Sequence, residues 1–456
     1  MLIKSIKIKN LFGMFNYTLN FNYDKKITIL YGPNGIGKTV ILNLIDNIFQ
    51  KEFIKVSDVN FHKIVFNLDN NTSLEIERKT DKKFNDDIST LEFAFKKNKR
   101  TIKKLLPESY LIEINRERFF LYKRAILKRD YEAKKITKEQ YDEEMNELFF
   151  VRRYPMPRGR VFPQRISDYD NQRLEFDALF NKYCVKTELI DTYRLTMQEK
   201  SDEERNTIIA KNRVVAKNRV VEYAKDLANK ITYALKNYSS VAQEKERTFP
   251  IRIIKQTEKT QLDSKVIEKQ LIQIESQRSQ YEELGLLDKN DDDIRIKISK
   301  ADNISSTKLS VLSEYIHDNE EKLKTLNELA LKITTFKDII NKRFSNKQIY
   351  FSNDKGFYFK NRRGEEIDTK NLSSGEQHEI IMFYDFLFNF ENDTLIIIDE
   401  PELSLHVAWQ VEFLKDYMTI TENKNNHLLI ATHSPQLIND YWNLCIDLES
   451  SCEYSA

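Results

Sequence analysis

The segment that most constrains the fold is a glycine-rich loop, Gly32-Pro33-Asn34-Gly35-Ile36-Gly37-Lys38-Thr39. It follows the apolar run Ile27–Tyr31, which predicts a strand, and precedes an apolar segment from Val40 that predicts a helix. This context and the spacing G-x-x-x-x-G-K-[ST] are typical of a loop whose backbone N–H groups wrap phosphates. A plain glycine turn before a helix would need neither the lysine nor the threonine. The sequence therefore predicts an α/β fold with a nucleotide site.

The residue types in this loop indicate ATP and Mg²⁺. Lys38 can neutralise β- and γ-phosphate oxygens, and the Thr39 hydroxyl can bind Mg²⁺. Glycine is scarce, with nine in the chain, and four of them fall in this loop and in the segment 372–377, where backbone would approach a ligand closely. The predicted ATP-binding residues of the loop are Asn34, Gly35, Ile36, Gly37, Lys38 and Thr39.

Two acids follow a second apolar run. Four aliphatic residues at 395–398 predict a strand buried on both faces of a sheet, and Asp399 and Glu400 come directly after it. Ligands of α/β sheets bind at the carboxyl ends of strands. We expect Asp399 to hold Mg²⁺ together with Thr39, and Glu400 to polarise the attacking water. A strand followed by an acidic turn is the alternative, which the phosphate loop makes less favourable.

The segment 372–377, Leu-Ser-Ser-Gly-Glu-Gln, precedes a predicted helix. Taken alone it could be an ordinary serine N-cap. Beside this loop and acid pair it resembles the ABC signature. That resemblance implies that Ser373 and Gly375 reach the γ-phosphate of ATP bound to a second copy of the chain, so that the working unit is at least a head-to-head dimer.

Two histidines lie near the predicted strand ends. His433 follows the apolar run 428–431 and holds the position of the ABC switch histidine, which senses the γ-phosphate, although a lone histidine is usually structural. His406 lies in the segment expected to cross to the other head. We predict a catalytic role for His433 and an interface role for His406.

The chain divides into four predicted regions. Residues 1–120 form the first half of the ATPase head, 121–254 a helical insertion with a head strand near 188–195, 255–340 a helical hairpin, and 341–456 the second half of the head. The hairpin is indicated by a coiled-coil seam with one polar position; two ordinary amphipathic helices are the alternative. The seam residues are Leu312, Ile316, Asn319, Leu323, Leu326, Ala330 and Ile333.

The predicted fold class is thus α/β. We expect an ABC-type P-loop ATPase head, which is a mixed sheet with antiparallel flanking strands. A helical insertion that carries a short antiparallel coiled-coil hairpin splits this head.

Net charge is +2, so any nucleic-acid binding would need local patches. Basic clusters at 96–104 and 152–165 could bind nucleic acid or an acidic protein, or could be charge-balanced solvated faces.

The composition excludes several classes of protein. No apolar stretch is long enough to span a membrane, and the N-terminus alternates like a strand and not like a signal peptide. Three cysteines have no disulfide or zinc spacing. We therefore expect a cytoplasmic protein without a membrane partner.

Several segments resemble the stand-alone bacterial ATPases of anti-phage systems. Those relatives include the ATPase subunit of the PARIS system, to which the chain is most similar, the Septu ATPase, and the ATPase half of the overcoming-lysogenization-defect nucleases. The split head also resembles structural-maintenance-of-chromosomes ATPases. The segments are 189–195 (LIDTYRL), 242–250 (AQEKERTFP), 372–384 (LSSGEQHEIIMFY), 399–410 (DEPELSLHVAWQ) and 431–436 (ATHSPQ).

The resemblance implies an infection sensor that scaffolds and controls a toxic effector. The chain ends about twenty residues after His433, without room for a nuclease domain, so we expect a separate effector nuclease of TOPRIM or HNH type. A phage protein or DNA would be the trigger. One further departure is the lack of a clear glutamine-loop motif between the phosphate loop and residue 130, so no second Mg²⁺ ligand is named. Arg194 could face phosphate or form a salt bridge.

Two other functions remain open from the sequence. The first is an SMC-like ATPase of DNA repair or recombination that binds DNA directly, and salt-sensitive DNA binding would favour it. The second is the motor subunit of a transporter, which the long insertion and the lack of a membrane segment disfavour.

Overall fold

A computed structural model of the protein contains, among the residues it describes, two large sheets of five and seven strands, two small sheets of two and three strands, and several long helices. The structure describes residues 2–80, 89–98, 100–105, 124, 127–128, 130–133, 135–153, 164–190, 196–197, 217–255, 264–288, 306–403, 405–422 and 424–454. Arg158, Arg160, Arg194 and Lys99, which the sequence singled out, lie outside these residues.

The first part of the chain is mainly strands. In chain order its elements are β1 (Ile3–Leu11), β2 (Phe15–Asn20), β3 (Ile27–Tyr31), α1 (Lys38–Phe49), α2 (Phe53–Ser57), β4 (Lys63–Leu68), β5 (Thr72–Thr80), β6 (Ser89–Lys97) and β7 (Arg100–Leu105).

The middle part is mainly helical. Its elements are α3 (Lys138–Arg153), α4 (Gln164–Tyr183), β8 (Lys186–Ile190), β9 (Thr196–Met197), β10 (Lys217–Asn218), α5 (Arg219–Lys255), α6 (Ser264–Glu283) and α7 (Ser306–Arg343).

The last part returns to alternating strands and helices. Its elements are β11 (Lys347–Ser352), β12 (Gly356–Asn361), β13 (Glu366–Ile367), a 3₁₀ turn (Thr369–Asn371), α8 (Ser374–Tyr384) continued by a π-helical turn (Asp385–Asn389), β14 (Thr394–Asp399), a 3₁₀ turn (Pro401–Leu403), α9 (Val407–Thr421), β15 (His427–Thr432), α10 (Pro435–Ile438), a 3₁₀ turn (Trp442–Leu444), β16 (Cys445–Asp447) and β17 (Glu453–Tyr454).

A five-stranded parallel sheet in the order β16-β3-β15-β14-β8 forms the centre of the head. Its inner strands are buried on both faces, because alternate side chains enter different cores. Leu395 and Ile397 pack in one core with α1, whereas Ile396 and Ile398 pack in the other core, which also contains side chains of α5 and α7. The expectation of a doubly buried strand before the acids is confirmed.

A seven-stranded antiparallel sheet in the order β17-β2-β1-β4-β5-β6-β7 packs over α1. Its strands alternate, with Ile6 and Ile8 buried and Lys7 exposed between them. Parallel strands therefore carry the phosphate loop and antiparallel strands flank them. The predicted α/β class, with its antiparallel flank and helical insertion, is confirmed.

The predicted coiled-coil seam on α7 is buried at its centre: Leu326 and Ile333 have no exposed surface. α6 packs on α7, with the Tyr281 hydroxyl 2.6 Å from Asn327 Oδ1. The long helix α5 also packs on α7. Across this contact Arg252 of α5 donates to the carboxylate of Asp318 through Nη1 at 2.7 Å and Nη2 at 2.6 Å. The sequence predicts two helices at this seam. The structure adds a third, α5, which continues without a break past Pro250.

A glycine lets α5 dock closely on the head. Gly356 has a φ of +69°, and a Cβ built there would lie 1.8 Å from the Ala224 carbonyl oxygen of α5. Only glycine fits this position, since both the backbone conformation and the contact exclude a side chain.

A buried ionic cluster ties α7 to the second half of the head. Arg343, in the last turn of α7, pairs with Glu379 of α8 and Asp416 of α9. Its guanidinium also lies 4.5 Å from the centre of the Phe383 ring. The end of the insertion is thus joined directly to the helix that follows the predicted signature.

Candidate nucleotide site

The phosphate loop joins the carboxyl end of β3 to the N-terminus of α1, as predicted. Gly35 and Gly37 take left-handed conformations, with φ of +88° and +95°. Lys38 is 4% exposed, and its Nζ donates to the carbonyl oxygens of Gly32 at 2.8 Å and Pro33 at 3.0 Å. The amine therefore lies inside the loop, at a helix N-terminus that favours anions. This geometry suits a bound phosphate.

The β1–β2 hairpin supports the loop from one side. The Tyr17 hydroxyl donates to the Ile36 carbonyl at 2.7 Å, and the Phe12 amide donates to the Asn60 carbonyl at 2.8 Å. A Cβ on Gly37 would lie 3.4 Å from Cε2 of Phe12. Sequence reasoning missed this support, because nothing in the pattern around Phe12 indicates a contact 25 residues along the chain.

Asp399 ends β14 beside the start of α1. Burial raises the pKa of Asp399 above its usual value, opposed by a hydrogen bond with Thr39 and by the charge of Lys38. Its Oδ1 is buried and makes no hydrogen bond within the described part of the chain. A hydroxyl next to a carboxylate with a spare oxygen suits Mg²⁺, so Thr39 and Asp399 fit the predicted metal role.

Glu400 and His433 meet at the same edge of the sheet. Glu400 has a φ of +44°, and its amide donates to the Ala431 carbonyl of β15 at 2.9 Å. His433 Nδ1 lies 3.8 Å from Oε1 of Glu400. A left-handed backbone at a non-glycine residue is strained and is common at functional sites. The structure therefore brings the two predicted catalytic side chains together.

Glu402 is a residue of this site that the sequence reasoning missed. Its side chain is 6% exposed, and its Oε1 lies 3.2 Å from His433 Nδ1. The same oxygen accepts hydrogen bonds from the Thr432 hydroxyl at 2.6 Å and from the His433 amide at 2.9 Å. The available signal was its place three residues after Asp399, at the edge where ligands bind.

The predicted signature residues lie at the start of α8. Ser373 caps this helix: its Oγ accepts from the Glu376 amide at 3.3 Å, and Oε2 of Glu376 accepts from the Ser373 amide at 2.7 Å. Ser373 is exposed and Gly375 half-buried. The N-cap alternative thus describes the local structure, and the role of Ser373 and Gly375 across a dimer stays a prediction.

His406 caps α9, with its Nδ1 accepting from the Ala408 amide at 3.3 Å. Two apolar side chains near it are strongly exposed, Leu403 at 65% and Val407 at 54%. The interface role of His406 also stays a prediction.

The basic cluster at 96–104 is partly neutralised. Lys96 pairs with Glu75, which also binds Lys63 at 2.8 Å. Two of the arginines in the other cluster, Arg152 and Arg153, lie in α3. For Lys96 this arrangement agrees with a charge-balanced face.

A phosphate loop after β3 and acids after β14, at the same edge of one parallel sheet, define the class of P-loop nucleotide-binding proteins. A family model described as AAA ATPase domain matches residues 1–438. The chain belongs to this AAA_15 family; it is therefore an ATPase and binds nucleotide. No curated protein matches it significantly.

Two solved structures are similar to the chain. The first is an Smc head domain with an extended coiled coil bound to the C-terminal domain of ScpA, from Pyrococcus furiosus, at 13% identity and a TM-score of 0.34, covering 99% of this chain and 95% of that one. The second is an SmcHead bound to the C-winged helix domain of ScpA, at 10% identity and a TM-score of 0.33, covering 96% of this chain and 91% of that one.

Among the helices of the described residues, none is both long and apolar enough to cross a membrane.

Proposed function

We propose that this chain hydrolyses ATP at the described edge of the parallel sheet and uses the nucleotide to switch between assembled states. The observation that carries the proposal is the meeting of four groups at one edge: the buried Lys38 amine, the Thr39–Asp399 pair, and the side chains of Glu400 and His433. Phosphoryl transfer to water needs positioning and charge stabilisation more than covalent chemistry.

Each residue has a role in this reaction. The loop amides and Lys38 bind the phosphates. Thr39 and Asp399 would hold Mg²⁺, which would neutralise charge on the phosphate oxygens. Glu400 orients the attacking water and accepts its proton. His433 contacts the γ-phosphate from the end of the neighbouring strand, β15.

The site is completed by a second copy of the chain. The exposed N-terminus of α8 carries a helix dipole that would face the γ-phosphate of the partner head, with Ser373 and Gly375 nearest to it. The exposed Leu403 and Val407 beside His406 supply apolar surface for the same interface. ATP would then hold two heads together.

The substitution Glu400→Gln tests the catalytic assignment. We expect nucleotide affinity to stay near that of the unchanged protein while phosphate release falls by about 10²-fold or more, because the amide cannot accept a proton from water. Glu422→Gln, on the exposed surface after α9, is the matched control. Unchanged phosphate release in Glu400→Gln overturns the assignment.

The shared site has its own test. With ATP, the Glu400→Gln protein should sediment as a dimer, and adding Ser373→Arg should return it to a monomer that still binds nucleotide. A monomer in both cases overturns the head-to-head arrangement and leaves the phosphate-loop assignment in place.

At the level of the cell, we propose an infection sensor in the cytoplasm that holds and releases a separate effector nuclease of TOPRIM or HNH type. The support is the motif resemblance at 372–384 and 399–410. Co-purification of a nuclease encoded next to this gene, lost in Lys38→Ala, would support the proposal. Tight, steeply salt-dependent binding of the chain to DNA, without such a partner, would favour DNA repair or recombination instead.

A further inference from the structure

We propose that Glu402 is a positioning residue that fixes the orientation and tautomer of His433, so that Nε2 of the imidazole faces the nucleotide. The inference rests on the proposed function in one respect, namely that His433 contacts the γ-phosphate. Glu402 itself does not touch the nucleotide and acts through the histidine.

The contacts around Glu402 leave its Oε1 little freedom. This one oxygen accepts from the Thr432 hydroxyl at 2.6 Å and from the His433 amide at 2.9 Å, and lies 3.2 Å from His433 Nδ1. The same carboxylate oxygen therefore accepts a hydrogen bond from the backbone amide of His433 and lies at ion-pair distance from its ring. Since Glu402 lies in the 3₁₀ turn after β14 and His433 directly follows β15, the contact also joins the two strand ends that carry the reaction.

A buried glutamine keeps this arrangement in place. Nε2 of Gln410 donates to the carbonyl oxygens of Leu405 at 3.1 Å and Glu402 at 3.3 Å. Its Oε1 accepts from the Ser434 hydroxyl at 2.9 Å. One side chain of α9 thus fixes the main chain after β14 and the main chain after β15 relative to each other.

The chemistry of imidazole gives the contact its consequence. A carboxylate can only accept, so the ring nitrogen beside Glu402 must carry a proton. In the neutral ring this requires the Nδ1–H tautomer, and in the charged ring both nitrogens are protonated. In either state Nδ1 faces Glu402, and Nε2 is left to contact a phosphate oxygen or the attacking water. His433 is 45% exposed, so its outer edge is accessible.

Packing alone does not explain a carboxylate at this position. Oε2 of Glu402 is buried and has no hydrogen-bond partner among the described residues. Leaving a buried acceptor unsatisfied costs about 1–3 kcal/mol. An apolar side chain would avoid that cost, whereas only an acceptor can hold Nδ1–H.

The experiment compares three substitutions at Glu402 with the unchanged protein. Glu402→Gln keeps an acceptor oxygen, Glu402→Met removes it at similar volume, and Glu402→Asp withdraws it by one methylene. Two quantities are measured: the ¹⁵N chemical shifts of the His433 ring, assigned by comparison with His433→Asn, and the kcat and KM of ATP hydrolysis. Glu422→Met, on the exposed surface, is the matched control.

We expect the unchanged protein and Glu402→Gln to show protonated Nδ1 and unprotonated Nε2 in the neutral ring. Glu402→Met should shift the proton toward Nε2. It should also lower kcat by about 10–100-fold, the range known for losing the orienting partner of a metal-bound histidine, with KM for ATP changed less than about twofold. If Glu402→Met does not fold, Glu402→Asp is judged by the same two quantities.

An unchanged His433 tautomer in the folded variant overturns the inference whatever the activity, and so does a changed tautomer with unchanged kcat. The proposed function is tested separately. If His433→Asn hydrolysed ATP at the original rate, His433 would have no part in the reaction. The ¹⁵N shifts of the ring would still decide whether Glu402 orients His433.

Discussion

Replacing Gly356 by alanine should loosen the docking of α5 on the head. The new Cβ would lie 1.8 Å from the Ala224 carbonyl oxygen and 2.8 Å from the Ala228 amide nitrogen, both in the backbone of α5. Backbone atoms of a helix cannot rotate away as a flexible side chain can. The helix or the strand must therefore move.

The size of the effect has two parts. A φ of +69° costs an alanine about 1–2 kcal/mol. An ordinary contact of 3.4 Å would require the Ala224 oxygen and the new Cβ to separate by about 1.6 Å more, in a densely packed region. Overpacking of this kind costs about 1–3 kcal/mol and sometimes more. We expect the free energy of unfolding to fall by about 2–5 kcal/mol, a large share of the 5–15 kcal/mol typical of a folded domain.

Gly364 offers a matched control, since its φ is +83° and nothing lies within 4 Å of a Cβ built there. Gly364→Ala should therefore carry the backbone cost alone, about 1–2 kcal/mol. Urea unfolding followed by far-UV circular dichroism gives both free energies. Equal losses in the two variants would refute the reasoning, because the close approach of α5 would then contribute nothing.

Three further predictions concern other parts of the head. Arg343→Met should lower the free energy of unfolding by about 3–5 kcal/mol, because it leaves buried carboxylates without their cation, whereas Lys342→Met on the exposed side of the same turn should cost less than about 1 kcal/mol. Gly37→Ala should weaken nucleotide binding about tenfold or more in calorimetry, since a φ of +95° strains the loop at any residue with a side chain; native affinity would contradict this. Burial lowers the pKa of His427 to about 3, so below pH 6.5 the unfolded chain binds a proton that the folded chain does not, and stability falls as the pH falls. Between pH 7 and pH 5, His427→Gln should therefore lose about 2 kcal/mol less stability than the unchanged protein in urea unfolding. An equal loss in the two proteins would show that His427 is not the cause.

The sequence predicts those parts of the site that consist of residues adjacent in the chain. The phosphate loop needs its strand, glycines, lysine and threonine side by side, and the acids follow directly on a doubly buried strand. Local spacing determines their geometry, so Lys38, Thr39, Asp399 and Glu400 lie where the pattern indicates. The seam on α7 follows for the same reason, since a helical period fixes which residues share a face.

The parts that the sequence does not predict depend on contacts between distant segments. Glu402 becomes a neighbour of His433 only when β14 and β15 pair. Arg252 meets Asp318 only when α5 and α7 pack together, and no single-sequence pattern selects that partner for the seam. Phe12 likewise reaches Gly37 because the antiparallel sheet packs over α1.

The strand order has a consequence for synthesis of the chain. Thr28 of β3 bonds to His427 of β15 across 399 residues, and β3 lies between β15 and β16 in the sheet. At about 5–20 residues per second, the strand that carries the phosphate loop waits roughly 20–80 s for its partners to leave the ribosome. The antiparallel strands can pair early, but the apolar β3 cannot. Nucleotide binding is thus among the last properties that a nascent chain acquires.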